Sequence, residues 1–238
     1  MQNLYYDIQR EIEQRNLLRP LDVLLVGATG VGKSSTINAL FGDNVAKVGT
    51  GCEPETQIVS HYEVNDYFRI HDSAGLGDGK ENDKRHARNI TDILIKTVSV
   101  GGDNSIPYGL IDMVMVILDG SSRDLGTAYQ LLRDVIVPII DPKRIIVLIN
   151  QADMAMKGRY WDSVNNCPEA TLKQFLDEQA YNVQQRIKEA TGLNIHMPIY
   201  YSAEHGYNID KILLHIKQNL PTQRRVIQID SNSRKFIF

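Results

Sequence analysis

Three features of the sequence predict a doubly wound α/β fold. The apolar run Val23-Leu24-Leu25-Val26 passes directly into Gly27-Ala28-Thr29-Gly30-Val31-Gly32-Lys33-Ser34, a G-x-x-x-x-G-K-[ST] stretch of the kind that joins a buried strand to a helix. Asp112 to Leu118 and Arg144 to Ile149 are continuous apolar runs of strand length, the pattern of parallel strands buried on both faces. Helical and strand segments alternate, and each candidate site residue falls just beyond a strand's carboxyl end, where the ligand crevice of such a sheet lies.

The elements follow in order. Leu4, Ile8 and Ile12 are spaced by four within Asn3 to Leu18, which predicts an amphipathic helix that Pro20 ends. Its apolar stripe packs on the domain itself or serves self-association. Lys33 to Phe41 reads as a helix terminated by Gly42-Asp43-Asn44. Val45 to Glu55 has no period. Ile58, Ser60, Tyr62 and Val64 alternate as a strand, and Asn65-Asp66 turns it back into Tyr67 to His71 as an antiparallel hairpin. Glu81 to Val98 has helical spacing, Gly101 to Pro107 reads as a loop, and Leu125 to Val137 supplies the crossover helix between the two apolar strands. Pro168 to Thr191 is a helix stopped by Gly192, Pro198 to Tyr201 a last strand, and Asn208 to Asn219 a last helix.

The chemistry of the first loop is specific. Glycines let an anion approach the backbone, and N–H groups of the loop and helix start then point at phosphate oxygens. Lys33 adds an ammonium for the terminal phosphates, and Ser34 offers a hydroxyl to the Mg²⁺ that accompanies a nucleotide. Asp72-Ser73-Ala74-Gly75 is a D-x-x-G stretch at a strand end, where Asp72 can hold Mg²⁺ through its water shell and the Gly75 N–H can bond the terminal phosphate. Guanine presents adjacent N1–H and N2–H₂ donors that a carboxylate accepts in bidentate fashion, and Asp153 supplies one just after the strand ending at Asn150. The Ala203 N–H, after Ser202, can donate to guanine O6. Singly, Asp153 and Ser202-Ala203 also suit ordinary turns after strands; four such elements in this order point to guanine nucleotide.

Together, Gly27 to Ser34, Thr56, Asp72 to Gly75, Asn150-Gln151-Ala152-Asp153 and Ser202-Ala203 resemble the translation-factor-like class of P-loop GTPases, and within it the Era-like group. The segment Gly-x-Gly-Cys-Glu-Pro-Glu-Thr is most similar to the small prophage-associated GTPases of enterobacteria. The resemblance covers Leu21 to Leu220. It implies a P-loop NTPase G domain with a mixed six-stranded sheet, one antiparallel edge strand and helices on both faces. It further implies a first switch at Ala46 to Thr56, a second at Asp72 to about Arg88, and GTP/GDP and Mg²⁺ as cofactors. Nucleotide is then held by Gly27 to Ser35, Asp72, Gly75, Asn150, Gln151, Asp153, Ser202 and Ala203. Ser34, Thr56 and Asp72 hold the metal, Thr50 being the alternative to Thr56, and Lys33, Thr56 and Gly75 act in catalysis.

Three departures qualify this likeness. The usual N-K-x-D reads Asn150-Gln151-Ala152-Asp153, so a shorter neutral amide replaces the lysine stem that covers the base. Leu76 stands where Ras-like members carry a water-orienting glutamine, which predicts slow intrinsic hydrolysis unless an activator or a dimer mate completes the site. Gly30 stands where potassium-activated relatives carry asparagine, against that mechanism. No arginine lies within Val45 to Thr56, and Arg85 and Arg88 are weak candidates for a finger.

The division expected is an N-terminal helix at 1–20, a G domain at 21–220 and a tail at 221–238. The tail, with Arg224-Arg225 and a closing Phe236-Ile237-Phe238, reads as a frayed end, an extra strand or the start of a further region. A formal net charge of −3 gives no global basic field, so nucleic acid is not expected as a partner without a further domain. Two cysteines far apart, no apolar run of membrane-span length and a polar N-terminus lead to the expectation of a cytoplasmic protein. The function expected is a GTP-hydrolysing switch with an unidentified protein effector; the alternative is a nucleotide-gated assembly module, such as a GTP-dependent homodimer, with negligible hydrolysis of its own.

Overall fold

The computed structural model describes residues 2–41, 47–49, 60–73, 80–100, 103–122 and 125–227. Strand β1 (Leu21–Gly27) lies at the centre of the main sheet, flanked in parallel by β4 (Phe68–Asp72) and β7 (Met113–Asp119). Beyond β7 come β8 (Ile145–Asn150) and then β11 (Ile199–Tyr200), both parallel. On the other side β3 (Ser60–Asn65) runs antiparallel to β4, completing the mixed six-stranded sheet. A three-residue strand, β2 (Lys47–Gly49), pairs antiparallel with β3 and extends the sheet to seven.

Alternation of side chains across the strands divides the core in two. Val23, Leu25, Met115, Ile117 and Leu148 point to the face covered by α1 (Gln2–Gln14), α2 (Lys33–Phe41) and α6 (Ile209–Gln218). Leu24, Val26, Val114, Val116 and Val147 point to the face covered by α3 (Lys80–Ile95), α4 (Gly126–Leu131) with its π-helical continuation Leu132–Ile136, and α5 (Ala170–Thr191). Both faces are therefore buried, which is why β1, β7 and β8 are apolar through their middles, with Asp22, Asp119 and Asn150 only towards their ends. Helix α5 ends at Gly192, whose φ of 76° supplies the left-handed cap.

The stripe of α1 is spent on its own domain. Ile8 and Ile12 are fully buried in the core shared with Ile212 and Ile216 of α6. Tyr5 donates its hydroxyl to the Leu40 carbonyl at 2.6 Å, and Lys217 Nζ bonds Asp7 at 2.7 Å. The helix thus offers no free apolar stripe for self-association.

Several expectations change. Helix α3 stops at Ile95 rather than Val98, and 101–107 is not a simple loop: β5 (Thr97–Val100) and β6 (Asp103–Gly109) form an antiparallel hairpin of their own. Val98 fits the helical spacing of Ile90 and Leu94, but Thr97 to Val100 also alternates, and β-branched residues favour the strand. Lys47–Gly49, which lacks any period, is a strand through pairing with β3. Between β8 and α5 lies a small hairpin of β9 (Trp161–Asp162) and β10 (Cys167–Pro168). The described start of the tail lies along β6 through one isolated bridge: Val226 pairs with Tyr108, Gly109 N donates to Arg225 O at 2.8 Å and Ile227 N to Pro107 O at 2.9 Å. No described helix is long and apolar enough to cross a membrane.

Candidate nucleotide site

Parallel register brings the predicted site residues to one edge. Gly27 ends β1, Leu25 is level with Asp72 at the end of β4, and Asn150 at the end of β8 is level with Asp119. The loop Gly27 to Gly32 leaves β1 and feeds α2, with Gly30 and Gly32 at φ of 82° and 86°. At Gly32 a side chain is excluded twice, by this backbone conformation and by space: a Cβ there would lie 2.3 Å from Asn150 Nδ2. Lys33 is buried and folds back over the loop, its ammonium donating to the carbonyls of Gly27 (3.2 Å) and Ala28 (3.1 Å). Positive charge is thereby held over backbone N–H groups at a helix start, a site built for an anion. Ser34 and Ser35 are exposed in the first turn of α2, and Thr29 and Gly30 are exposed in the loop.

Asn150 joins this loop to the predicted base-binding segment. It is 3% exposed, donates Nδ2–H to the Val31 carbonyl at 2.8 Å and accepts the Ala203 N–H on Oδ1 at 3.1 Å. The Ala203 N–H, expected to be available to guanine O6, thus already bonds Asn150, and O6 would share it as a second acceptor. Gln151, in the place of the usual lysine, adopts φ 60° and donates Nε2–H to the Gly30 carbonyl at 3.0 Å. It ties down the phosphate loop, a role its position in the motif does not reveal. Asp153 is buried three residues beyond Asn150, and Ser202 is fully buried, its backbone paired with Tyr207 in both directions.

Two residues that the motifs leave out complete the edge. Tyr201 is fully buried with its hydroxyl 2.6 Å from Thr36 Oγ1, which in turn donates to the Gly32 carbonyl at 2.8 Å. His205 faces Asp153, its Nε2 3.8 Å from Oδ2, with the Trp161 ring 5.3 Å from its own. A tyrosine directly before Ser202 and an aromatic-rich 205–207 were the available signals.

The metal side is described in part. Burial raises the Asp72 carboxyl above the usual carboxylate range, with the Lys33 ammonium opposing the shift. Asp72 Oδ1 is buried with no hydrogen-bond partner among the described residues. An orphaned hard oxygen beside the exposed Ser34 hydroxyl's helix fits a hydrated Mg²⁺, which takes one or two protein oxygens and completes its shell with water and phosphate. No group of three or more His, Cys, Asp or Glu able to hold a metal occurs among the described residues. Thr50, Thr56, Gly75, Leu76 and Cys52 lie outside the described residues, as do most of the first expected switch segment and residues 74–79 of the second. Arg85 and Arg88 are exposed on α3. His71 is structural, in contact with Asp22 at 2.6 Å on the opposite edge of the sheet.

A phosphate loop after the central strand, with Asn150 and Asp153 two strands away on the same edge, defines a P-loop GTPase of the translation-factor class. The chain belongs to the 50S ribosome-binding GTPase family, which it matches over residues 22–155, and it is a GTP-binding protein. It is similar to the probable GTP-binding protein EngB of Streptococcus thermophilus, 28% identical over 141 residues, 58% of this chain and 64% of that protein. The chain thus spans a little under two thirds of that relative's length. Its fold is similar to Toc33 from Arabidopsis thaliana in complex with Mg²⁺ and GMPPNP, with TM-score 0.64, 15% identity and coverage of 96% and 95% of the two chains. A structure of the chloroplast translocon components atToc33 and psToc159, for which dimerization is important for the GTPase activity, gives TM-score 0.63 at 14% identity, covering 96% and 93%.

Proposed function

We infer that this protein is a Mg²⁺-dependent GTP-hydrolysing switch of the Era-like type, akin to the small prophage-associated enterobacterial GTPases and acting in the cytoplasm. The observation that carries this reading is the Asn150 bracket, which holds the phosphate loop and the Ala203 turn in one rigid unit with Asp153 beside them. In this reading 21–220 is the G domain, 1–20 its N-terminal helix and 221–238 its tail. Asp153 accepts the guanine N1–H and N2–H₂, and backbone N–H groups of Gly27 to Ser35 surround the phosphates. Water attacks the γ-phosphate and the β–γ bond breaks, giving GDP and phosphate. The Lys33 ammonium balances charge that develops on the bridging oxygen. Ser34, Asp72 and Thr56 would hold Mg²⁺, which would supply positive charge against the phosphates. Gly75 and Thr56 respond to the presence of the γ-phosphate, and Asn150, Gln151, Ser202 and Ala203 fix the base.

Leu76 cannot orient water, so hydrolysis alone is slow and a second copy, bound in the GTP state, or an activator completes the site. The dimerization of the translocon GTPases supports that arrangement. Phosphate release from GTP and Mg²⁺, compared with Lys33→Ala, tests the activity: release no faster than in the variant removes the hydrolytic reading. Sizing with GDP and with a non-hydrolysable GTP analogue tests the dimer.

A further inference from the structure

Deep in the base-binding segment, the carboxylate of Asp153 faces an imidazole. His205 Nε2 lies 3.8 Å from Asp153 Oδ2, and His205 is one-third exposed at its side chain while Asp153 is 10% exposed. The imidazole is held on two sides. Its backbone N–H donates to Ser202 Oγ at 3.2 Å, inside a turn closed by the paired backbones of Ser202 and Tyr207. Its ring rests against Trp161, tilted by 36°, and the other flank of Trp161 meets Tyr207 edge-on at 5.5 Å. Trp161 is itself anchored on Ala152, Ala155, Leu172 and Leu176, a small core separate from the two main ones. Its indole N–H is buried without an acceptor among the described residues, so packing alone fixes the ring.

We propose that His205, backed by Trp161, is a positioning residue for guanine recognition: it sets the rotation of the Asp153 carboxylate so that both oxygens meet the N1–H and N2–H₂ pair. This rests on the assignment of Asp153 as the guanine receptor. A bidentate contact needs the carboxylate plane aligned with the base edge, and rotation about Cβ–Cγ moves the second oxygen off N2 before it disturbs the first. The imidazole beside Oδ2 is too far away at 3.8 Å for a direct hydrogen bond; held against Trp161, it resists that rotation by occupying the space beside the oxygen. In relatives with the usual motif a lysine stem covers the base, whereas here Gln151 is committed to the Gly30 carbonyl, so the ordering falls to the segment on the far side of Asp153.

The 2-amino group is the part of the base that reports on this alignment, so inosine nucleotide, which lacks it, is the discriminating probe. Calorimetry with GDP and IDP on the full chain is expected to show His205→Ala weakening GDP about fivefold, the effect of one modest polar contact, with IDP nearly unchanged. The GDP-to-IDP preference therefore contracts. His205→Phe, whose ring can pack on Trp161 and fill the same space beside the carboxylate, restores most of it. As the chain holds a single tryptophan, the GDP-induced change in its emission is expected in the wild type and reduced in His205→Ala. Equal weakening of GDP and IDP in His205→Ala, or an unchanged preference, overturns the proposal. Asp153→Asn separates the two levels: a shift toward XDP upholds the site and leaves His205 judged by the GDP-to-IDP ratio alone. No shift toward XDP overturns the assignment of Asp153 and this proposal with it.

Discussion

Replacing Asn150 by alanine tests whether one side chain couples the two halves of the nucleotide site. The residue is buried and makes a 2.8 Å bond to the Val31 carbonyl and a 3.1 Å bond from the Ala203 N–H. Truncation removes both and leaves a backbone acceptor and a backbone donor without their partner in a segment that water reaches poorly. Net loss for such bonds is about 1 kcal/mol each, rising to about 2 where the stranded group stays dry, so the nucleotide-free protein should lose roughly 2–4 kcal/mol. Urea denaturation with an unchanged m-value reads that loss. Nucleotide affinity should fall as well, because Val31 and Ala203 must be brought back into register on binding. If about 2 kcal/mol of that work is taken from binding, the GDP dissociation constant rises roughly 30-fold. Asn150→Asp sharpens the test: it keeps an acceptor for Ala203 but places a carboxylate oxygen against the Val31 carbonyl, so it should be at least as damaging as alanine. Stability within about 0.5 kcal/mol of the wild type, the range of a neutral surface change, together with unaltered GDP affinity would refute the coupling.

Two further outcomes follow from parts of the fold away from the nucleotide. Burial pushes the fully enclosed Asp112 up from 3.8 to about 7, with Asp22 also raising it and the Asp22 N–H, Arg144 and Arg225 pulling it down. The folded state therefore holds a proton that the unfolded chain has released, and stability falls as pH rises from about 4 to about 7, by up to about 4 kcal/mol. His215, lowered to about 4 by burial and by His196, gives the opposite slope as pH falls from 6.5. Denaturation of Asp112→Asn against wild type across pH 4–8 isolates the first contribution: the difference should grow in favour of the variant with rising pH, and a parallel pair of curves contradicts the assignment. Ile12→Ala, in the fully buried stripe of α1, should cost about 2–5 kcal/mol without changing the oligomeric state. A loss of self-association instead of stability, read by sizing, would return α1 to the role of a partner helix.

The sequence carried the phosphate loop because its demands are local: glycine at positive φ and a lysine and serine at fixed offsets are legible without knowing what the loop touches. It carried β1, β7 and β8 because burial on both faces leaves no polar alternation to confuse. What it did not carry depends on partners distant along the chain. Lys47–Gly49 is a strand only because β3 lies beside it, and Val226 forms its bridge only because β6 does. Val98 satisfied two periods at once, and pairing across to Tyr108 decided between them. Within the site, the motif named Asn150, Gln151 and Asp153 but not the direction of each side chain. That Gln151 binds the Gly30 carbonyl, or that Asn150 already occupies the Ala203 N–H, follows from a left-handed residue at 151 and from strand register, neither of which has a spacing signature.

The two edges of the sheet also show why perturbed ionisation by itself is a poor guide to function here. At the amino edge, Asp22 takes Arg69 on both oxygens and contacts His71, while its N–H reaches Asp112. Arg144 reaches the carbonyls of Asp112 and Gln223, and Arg225, lowered to about 10 by burial, bonds the Leu94 carbonyl. A cavity of about 410 Å³ opens beside them, lined in part by Asp22, Arg69 and Arg224. Size, charge and the shifted Asp112 would all select that edge as a site. Yet each of these arginines is engaged with a carboxylate or a backbone carbonyl, and the carbonyls include Gln223 and Leu94, so the network fastens the tail and the end of α3 to the sheet. At the carboxyl edge burial likewise raises Asp72, Tyr200, Tyr201 and Tyr207, so shifted groups do not separate the two edges. What the carboxyl edge adds is a set of exposed residues, Thr29, Gly30, Ser34 and Ser35, around the Lys33 ammonium, with the orphaned Asp72 Oδ1 near it. Orphaned atoms occur at both edges, Asp112 Oδ1 and Arg225 Nε at one and Asp72 Oδ1 at the other, so it is the exposed phosphate loop and helix start, and not unpaired charge, that mark the edge open to a ligand.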